Sequence, residues 1–557
     1  MTDIESTVRV VRGEMQPWSD QNQPGLPAAG GPVVCRLLAD LLPRARRTLV
    51  VGPHGRDVLD LVADRSEHVT VLLRSVSDAT ELAAAAANSE ADPRWEVVAG
   101  ALDGLAGATF EPYDAIVAVD GLDRVLGADS PDLSWPERLA QLLKHATVDA
   151  VLVLGLANGF ALTSLLDRRG LDERHGDNEW WPLRDDPQRP ASAAAFAQAA
   201  ERAGITGARV YANFAAHTLI EIDAATEARP GSLLCRMGVR GLQAAGASLP
   251  LLAPIGELAE AAAHAGQLGS VPEGWLLLRG SPTRTAYAEG AAAGVTVAVE
   301  RAGDGWLLDA AGEATDLPDG LRIRVGTRTL PDAPTAEDVL FRLAAAGDVP
   351  GIRAFAAELG AWARSRSTAE AICLDDLVYD GTAFTPGFYG WATTEPASAD
   401  ELLAAAWHRW RDRLVSAHRR HPWPPWMAGD DLVATLLQMS GDAAEPSTVE
   451  RGREIADLVA EPVPDESTLD LRSALEEAAA ARHELFELRG HVFGLERTLG
   501  YRDKQLKVRE KRIREMRASV QRYEEIRNHR LFKYVRYAAK IRHPKQFARA
   551  VMRRLRG

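Results

Sequence analysis

Between residues 33 and 222 the apolar positions follow two different patterns of spacing. Short apolar runs such as TLVV, VTVLL, WEVV and YDAIVAV predict strands, and RDVLDLVADR and WPERLAQLLKHA have the three-to-four spacing of amphipathic helices. Strands that alternate with helices predict a parallel α/β sheet. We therefore predict an α/β domain over residues 33–224, preceded by an extension over residues 1–32.

Glycines and polar residues follow these predicted strands. The turn Gly52–Gly55 comes after the first strand, and Arg74, Asp103, Asp120 and Asn158 come at or soon after the ends of later strands. Open α/β sheets bind ligands at the carboxyl ends of their strands, so we expect these residues to converge. In the alternative interpretation the sheet is retained and its loops are only packed or solvated.

The succession of segments resembles the class I S-adenosylmethionine-dependent methyltransferases. YDAIVAVDGLDRVL is similar to the fourth-strand segment of that family, LVLGLANGFALTSLLD to the fifth strand and its loop, and SAAAFAQAAERAGI to a late helix. The resemblance implies a Rossmann-like fold and S-adenosylmethionine as the cofactor. The residues that it places at the cofactor are Gly52, His54, Gly55, Arg74, Asp103 and Asp120.

Two positions depart from the pattern of that family. The cofactor turn reads VVGPHG, with His54 where the family keeps glycines that let the backbone approach the cofactor. The family also ends its second strand with a carboxylate that accepts hydrogen bonds from the ribose, whereas Arg74 offers no acceptor. We therefore expect weak cofactor binding and interpret His54 as a loop residue rather than a base. We assign no catalytic residue and no metal site.

Charge and tryptophan are concentrated in ERHGDNEWWPLRDD, residues 173–186, after the fifth predicted strand. Long loops above a rigid sheet often carry function, so this loop is a candidate lid or acceptor pocket. An interdomain contact through Trp180 and Trp181 is the alternative.

The pattern changes near residue 225 and predicts a second, α+β domain over residues 225–445. GVTVAVERAGDGWLLDA predicts a hairpin, and TAEDVLFRLAAAG and GIRAFAAELGAWARS predict helices. The segment AICLDDLVYDGTAFTPGFYGWATTEP resembles the catalytic-loop to metal-loop region of small kinase-like phosphotransferases.

The kinase-like motifs are degenerate. Asp376 falls where such enzymes have Asn, the preceding H-x-D element is absent, and Gly387 or Phe388 replaces the metal-binding Asp. Residues 145–503 contain no lysine, although kinase sites use a lysine to pair the phosphates, and arginine is not a simple substitute. We therefore predict no kinase activity. An unrelated α+β domain is the alternative.

A linker over residues 446–468 leads into the strongest pattern of the sequence. Over residues 469–527 apolar residues recur at spacings of three and four with charges between them, which predicts a coiled coil and a homo-oligomer. A single long helix packed on the rest of the chain is the alternative. The predicted seam runs through Leu471, Ala474, Ala478, Ala481, Leu485, Leu488, Val492, Leu495, Leu499, Arg502, Leu506, Arg509, Ile513, Met516, Val520 and Tyr523.

The last segment, residues 528–557, carries no acidic residue. Residues 501–557 hold 20 Lys+Arg against 5 Asp+Glu, although the whole chain has a net charge of −14. Apolar residues recur within this basic segment, as they do in helices that lie on an anionic membrane surface. We predict that this basic amphipathic tail binds such a membrane, with RNA binding as the alternative.

The sequence also predicts a compartment. Cys35, Cys235 and Cys373 are far apart and have no metal-ligand spacing, which agrees with a reducing environment. The N-terminus has no apolar signal region, and no apolar run is long enough to cross a bilayer. We predict a cytoplasmic protein that is peripheral on the inner face of the cell membrane.

The predicted order of domains resembles polysaccharide-processing proteins that join a methyltransferase domain, a kinase-like domain and a coiled coil. That resemblance implies methyl transfer to a cell-surface glycan or its precursor, with glycosyltransferases as partners. A non-catalytic oligomeric scaffold of a membrane-associated glycan-assembly machinery is the alternative function. Binding of the methyl donor discriminates between the two, because only the enzyme requires it.

Overall fold

The computed structural model describes residues 8–16, 18–21, 28–87, 95–106, 110–170, 186–280, 284–315, 317–366, 370–416, 419–424, 427, 429–459, 471–541, 548–549 and 552–553. The chain forms two compact units, Met1–Pro464 and Asp465–Gly557. We call the first the body and the second the C-terminal unit.

The body contains a mixed sheet to which 13 of the described strands belong. Two small sheets pair the strand Leu321–Ile323 with Trp391–Thr393 and the strand Leu377–Tyr379 with Phe384–Pro386. The strands of the large sheet are β1 (Val8–Val10), β2 (Ala45–Val51), β3 (Ser66–Leu73), β4 (Trp95–Ala99), β5 (Tyr113–Ala118), β6 (Ala146–Ala157), β7 (Arg209–Phe214), β8 (Thr218–Glu221), β9 (Gly274–Arg279), β10 (Ala286–Glu289), β11 (Val295–Ala302), β12 (Gly305–Gly312) and β14 (Gly326–Pro331), where β13 is the strand Leu321–Ile323 of a small sheet.

The large sheet has a parallel half and an antiparallel half. The strands β1, β4, β3, β2, β5 and β6 lie side by side in this order, and each neighbouring pair is parallel. Beyond β6 come β9, β7, β8, β10, β11, β12 and β14, each antiparallel to its neighbour. The strand order reverses between β2 and β5, which is where an open α/β sheet binds its ligand.

Both faces of the parallel half are apolar because helices cover both. Along β2, Leu49 and Val51 belong to one buried cluster and Val50 belongs to another. The helix Trp135–Leu143 contributes to the first cluster and the helix Pro32–Leu41 to the second. Strands buried on two faces lack the polar alternation of a one-sided sheet. The predicted α/β, Rossmann-like fold is thereby confirmed for this part of the chain.

Helices form where the sequence has the matching periodicity. The helix Trp135–Leu143, for example, begins at a capping box in which Ser134 and Glu137 exchange hydrogen bonds with each other's backbone. The described helices of the body are Pro32–Leu41, Arg56–Arg65, Val76–Ala87, Leu102–Leu105, Trp135–Leu143, Leu162–Leu166, Ala193–Arg202, Ile222–Glu227, Leu233–Gly246, Ile255–His264, Ala336–Ala346, Val349–Ser365, Ala399–Ser416, Asp430–Met439 and Pro446–Val459, with a 3-10 turn at Leu268–Ser270.

The structure differs from the predicted domain bounds. The strands β9, β10, β11, β12 and β14 lie within residues 225–445, yet they extend the same sheet, and β9 is inserted between β6 and β7. Strand β1 likewise comes from the predicted extension over residues 1–32. Pairing between strands that are distant in sequence leaves no local period, so the pattern could not show it. The kinase-like character of the middle of the chain stays a prediction.

The C-terminal unit contains a helix of 58 residues, Leu471–Asn528, which we call the long helix, and a second helix, Arg530–Ile541. The predicted helix is confirmed, and its pairing in a coiled coil stays a prediction. Among the described residues, no helix is long and apolar enough to cross a membrane. The exposed apolar residues at seam positions are Leu485, Leu488, Val492, Leu495, Leu499, Leu506, Ile513, Met516, Val520 and Tyr523.

Candidate functional site

The candidate site begins at the turn that follows β2. Gly52 has a φ of +89°, a left-handed backbone conformation that residues other than glycine rarely adopt. A Cβ at this position would lie 3.3 Å from Oδ2 of Asp120, which follows β5. The turn therefore places the backbone directly against the Asp120 carboxylate, at the point where the strand order reverses.

His54 fills the inside of this turn. Its Nδ1 donates to the carbonyl oxygen of Gly52 at 3.0 Å, and its Nε2 accepts from the backbone N–H of Val119 at 3.2 Å. The ring is 3% exposed, and this burial lowers the pKa of the imidazole, so the neutral ring is favoured at pH 7. Since both ring nitrogens are used, His54 braces the turn against the end of β5.

The backbone of the turn is bound by a segment that comes earlier in the chain. Gly55 N–H donates to the carbonyl oxygen of Ala29 at 2.9 Å, and Ala29 N–H donates to Pro53 at 2.9 Å. Gly31 N–H donates to the carboxylate of Asp57 at 2.8 Å. These bonds use the Gly55 amide that the sequence resemblance assigned to a cofactor.

Arg74, at the end of β3, is bound by a carboxylate from the N-terminal region. Its Nε and Nη2 donate to the two oxygens of Asp20 at 2.8 and 2.7 Å, and its Nη1 donates to the carbonyl oxygen of Leu126 at 3.1 Å. Arg74 and Asp20 are each 2% exposed. The guanidinium also lies 5.5 Å from the ring centre of Trp18. This buried, bidentate ion pair stands where the methyltransferase family has its ribose carboxylate.

The other two carboxylates of the site are also paired. Asp103 accepts from the hydroxyl of Ser130 at 2.5 Å and forms an ion pair with Arg12. Asp120 accepts from Nε of Arg124 at 3.0 Å. Arg124 donates in turn to the carbonyl oxygen of Asp20 at 3.1 Å. Arg74, Asp20, Arg124 and Asp120 thus form one connected chain of polar contacts along the carboxyl edge of the sheet, and Arg12 and Asp103 form a separate pair.

Residues 8–16 and 18–21 lie across this edge, and we call them the strap. After β1 pairs with β4, the amide of Val11 donates to Ala99 at 2.8 Å. The amide of Met15 then donates to the carbonyl oxygen of Arg74 at 2.8 Å. The strap therefore crosses the ends of β4 and β3, and it supplies Asp20 to the connected chain of contacts and Arg12 to the separate pair.

Of the predicted site residues, Gly52 and its neighbour His54 lie against the end of β5 with Asp120, and Arg74 is joined to Asp120 through Asp20 and Arg124, whereas Asp103 is bound to Arg12 and Ser130. Asn158 is different, because its side chain donates to the carbonyl oxygens of Ser270 and Pro272 and braces another loop. Trp180 and Trp181, in the predicted lid, lie outside the described residues. The strap residues Arg12 and Asp20 were not predicted as site residues.

The groups at this edge do not fit S-adenosylmethionine in this conformation. A ribose needs hydrogen-bond acceptors, yet Arg74 has none to offer and is already bound to Asp20. Asp103 and Asp120, which could accept, are bound to Arg12 and Arg124. The strap and its ion pairs occupy Arg74 and Asp103, and Arg124 occupies Asp120.

The kinase-like motif of the middle region forms a structural brace. The carboxylate of Asp376 accepts from the amides of Phe388 and Tyr389 at 3.1 and 2.7 Å, and Nη1 of Arg236 lies 3.5 Å from it. Gly387 packs directly against the same carboxylate. Asp376 therefore holds the backbone of the loop that contains Gly387, Phe388 and Tyr389.

The sequence matches no protein-family model and no curated protein. Among solved structures, N-methyltransferase NodS from Bradyrhizobium japonicum in complex with S-adenosyl-L-homocysteine is 19% identical, covering 23% of this chain and 59% of its own, with a TM-score of 0.17. The glycopeptide N-methyltransferase MtfA complexed with sinefungin is 17% identical, covering 30% of this chain and 63% of its own, with a TM-score of 0.21. Mycolic acid cyclopropane synthase CmaA1 is 14% identical, covering 44% and 85%, with a TM-score of 0.24. The match spans less than two thirds of the length of the first two.

Proposed function

We propose that the body binds a methyl donor, S-adenosylmethionine, and is a domain of the methyltransferase type. The observation that carries this proposal is the meeting of the Gly52 turn with Asp120 at the reversal of the strand order. The left-handed glycine allows a ligand close approach to the backbone, and Asp103 supplies a second carboxylate at the same edge. The donor class follows from the resemblance of the sequence segments.

The test of donor binding is the thermal unfolding of the full chain with increasing S-adenosylmethionine. A ligand that binds the folded state raises the midpoint of unfolding, and we expect a small rise because the strap covers the edge. Gly52→Ala should abolish the rise, since its Cβ would meet Asp120. Gly159→Ala, at a glycine with no neighbouring atom within 4 Å, is the matched control.

The acceptor that we propose is a cell-surface glycan or its precursor, with glycosyltransferases as partners. Support for this acceptor comes from the order of the sequence segments, which resembles glycan-processing proteins. Incubation with donor labelled in the methyl group, followed by separation of lipid-linked glycans from protein, tests it. Label that enters only protein would contradict the glycan as acceptor.

A non-catalytic scaffold is the second candidate function. It is favoured by the closure of the edge, where Arg74 and Asp20 form a buried ion pair and Asp103 and Asp120 are bound to arginines. It would be preferred if S-adenosylmethionine bound neither to the wild type nor to the variant Gly104→Ala, Gly127→Ala, in which the strap is disturbed.

We also propose that the long helix joins copies of this chain in a coiled coil. Its apolar seam is exposed in a single chain, with Leu495 53% and Leu506 55% accessible to solvent. Isolated helices derive little stability from their own sequence, so a helix of this length with an apolar stripe needs a partner surface. A second copy presents the same seven-residue pattern.

The basic tail is proposed to hold this oligomer on an anionic membrane, at the inner face of the cell membrane. In the helix Arg530–Ile541, Leu531 and Val535 are exposed and arginines and lysines lie between the apolar positions. Each basic residue near an anionic leaflet contributes about 1 kcal/mol, and several tails on one oligomer act together.

Vesicle flotation tests the role of the tail. The full chain should float with anionic vesicles, and the binding should weaken steeply with salt. Deletion of residues 528–557 should abolish flotation and leave the oligomer intact. If the full chain binds RNA and does not float, the tail has the alternative function.

A further inference from the structure

The strap packs against three glycines of the body, which we call the bed of glycines. The carbonyl groups of the strap residues Val11, Arg12 and Gly13 each lie against a position without a side chain. A Cβ at any of these positions would come closer to the strap backbone than 3.0 Å, which real Cβ atoms essentially never do. The three positions of the bed are Gly100, Gly104 and Gly127. Two segments of the body, the one that follows β4 and the one around Gly127, are therefore shaped to admit the strap backbone.

The strap is also bound by charged groups at both of its ends. Arg12 pairs with Asp103, and Asp20 pairs with Arg74. The backbone at Asp20 is held as well, because its N–H donates to Asp78 at 2.7 Å and its carbonyl oxygen accepts from Arg124. Binding of the strap thus uses two of the residues that were assigned to the cofactor.

We propose that the strap is an internal closure of the donor site, so that strap and S-adenosylmethionine exclude each other. This inference rests on the proposed function, because it regulates the same site. A ligand and a segment that lie over the same residues, here Arg74 and Asp103, compete, and the ligand then binds only the population in which the segment has left. The affinity of the full chain for the donor is reduced by the fraction of molecules in which the strap is bound.

The bed of glycines permits a test that changes no charge and no assigned cofactor residue. In the double variant Gly104→Ala, Gly127→Ala, two methyl groups occupy the positions of the strap carbonyls, whereas φ is not left-handed at either position. A second variant, Gly13→Ala, acts from the strap itself, since φ is +86° there and the Cβ would meet Ala101. Gly159→Ala is the control.

Two measurements are made on each full-length protein. Hydrogen exchange of the Val11 and Met15 amides reports the strap, and calorimetry with S-adenosylmethionine reports the site. We expect slow exchange and weak donor binding in the wild type and in Gly159→Ala. In the two strap variants we expect exchange at least about tenfold faster and donor affinity at least about tenfold higher, since both follow the population of the open state.

The outcomes separate this inference from the proposed function. If the wild type binds the donor as tightly as variants whose strap amides exchange fast, the strap does not exclude the donor, while the proposed function stands. If strap amides exchange equally fast in wild type and variants, the closure itself is wrong. If the strap is released, far-ultraviolet circular dichroism shows a folded protein and no donor binds, the proposed function fails together with the closure. If the double variant does not fold, the same two measurements on Gly13→Ala test the proposal.

Discussion

The carboxyl edge of the sheet buries charged residues, whereas the long helix exposes apolar residues. At the edge, Arg74 and Asp20 are charged, yet each is 2% exposed and finds its partner within the same chain. On the long helix, Leu495 and Leu506 are apolar, yet they are 53% and 55% exposed. Buried charge is costly without a partner, and a large exposed apolar surface indicates an interaction site. The edge is thus completed by its own chain, whereas the exposed apolar residues of the long helix support the proposed pairing with a second copy.

Polar substitution in the seam should break this comparison most strongly. We expect Leu495→Gln together with Leu506→Gln to convert the oligomer to monomer. Full burial of a leucine contributes about 1.5–3 kcal/mol, and each chain of the oligomer loses two such contributions. Sedimentation velocity gives the mass of the wild type and of the variant.

The control for the seam lies on the same helix. Arg497→Gln and Lys507→Gln introduce the same side chain at positions outside the seam, and we expect the oligomer to persist. Unchanged mass in the seam variant would show that the exposed stripe is not the contact between copies. Monomer in both variants would mean that helix charge rather than apolar burial holds the oligomer.

Breaking the ion pair at the edge should have the next largest effect. Arg74→Ala leaves the Asp20 carboxylate buried without its guanidinium, which costs about 3–5 kcal/mol of unfolding free energy. Asp60→Ala removes an exposed pair with Arg56, whose side chains are 54% and 44% exposed, and should cost less than about 1 kcal/mol. Denaturant unfolding of the full-length proteins gives both values. Equal losses would contradict the account of the edge as a buried, internally paired network.

The contribution of the buried Asp376 carboxyl to the stability of the body depends on pH. Burial raises the pKa of its carboxyl from 3.8 to about 6, against the opposing effects of Arg236 and of the Tyr389 and Phe388 amides. The folded state therefore holds this proton more tightly than the unfolded chain does. Stability from this group is full below about pH 4 and is lost as the pH rises through about 6. The difference between the two pKa values corresponds to about 3 kcal/mol.

Asp376→Asn isolates this dependence. The variant loses part of its hydrogen bonding to the loop at every pH, so the informative quantity is the change with pH. Between pH 4 and pH 7 the unfolding free energy of the variant should rise relative to the wild type by about 2 kcal/mol. Asp380→Asn should show the opposite sign and a lower window, because hydrogen bonds from Ala383 and Thr382 lower the pKa of Asp380, so that the wild type loses this stability only as the pH falls below about 4. If Asp376→Asn and the wild type show the same change with pH, solvent reaches the Asp376 carboxyl and its pKa is not raised.

The sequence could predict what depends on local periodicity. Residues 56–65 and 135–143 have helical spacing and form helices, and the ends of the parallel strands placed Gly52 and Asp120 at one edge. It could not predict that Asp20 meets Arg74, 54 residues later, because a single buried ion pair leaves no repeating pattern. The long antiparallel extension of the sheet was missed for the same reason.

The smallest predicted effect concerns the outer end of the strap and sharpens the contrast between buried and exposed charge. Arg12 pairs with Asp103, but its side chain is 60% exposed. Water can replace this guanidinium, and Asp103 keeps the hydrogen bond from Ser130 at 2.5 Å. Because the Asp103 side chain is only 4% exposed, Arg12→Ala should lower the unfolding free energy by about 1–2 kcal/mol, still less than Arg74→Ala.

The same substitution should leave the strap in place. The amides of Val11 and Met15 keep their backbone partners Ala99 and Arg74, each at 2.8 Å, and Asp20 keeps its buried pair. Hydrogen exchange of these two amides should stay as slow in Arg12→Ala as in the wild type, and should become fast in Asp20→Ala. If Arg12→Ala releases the strap as well, the Arg12–Asp103 pair is also needed to hold the strap. The burial of the Arg74–Asp20 pair would then not explain why the strap stays bound.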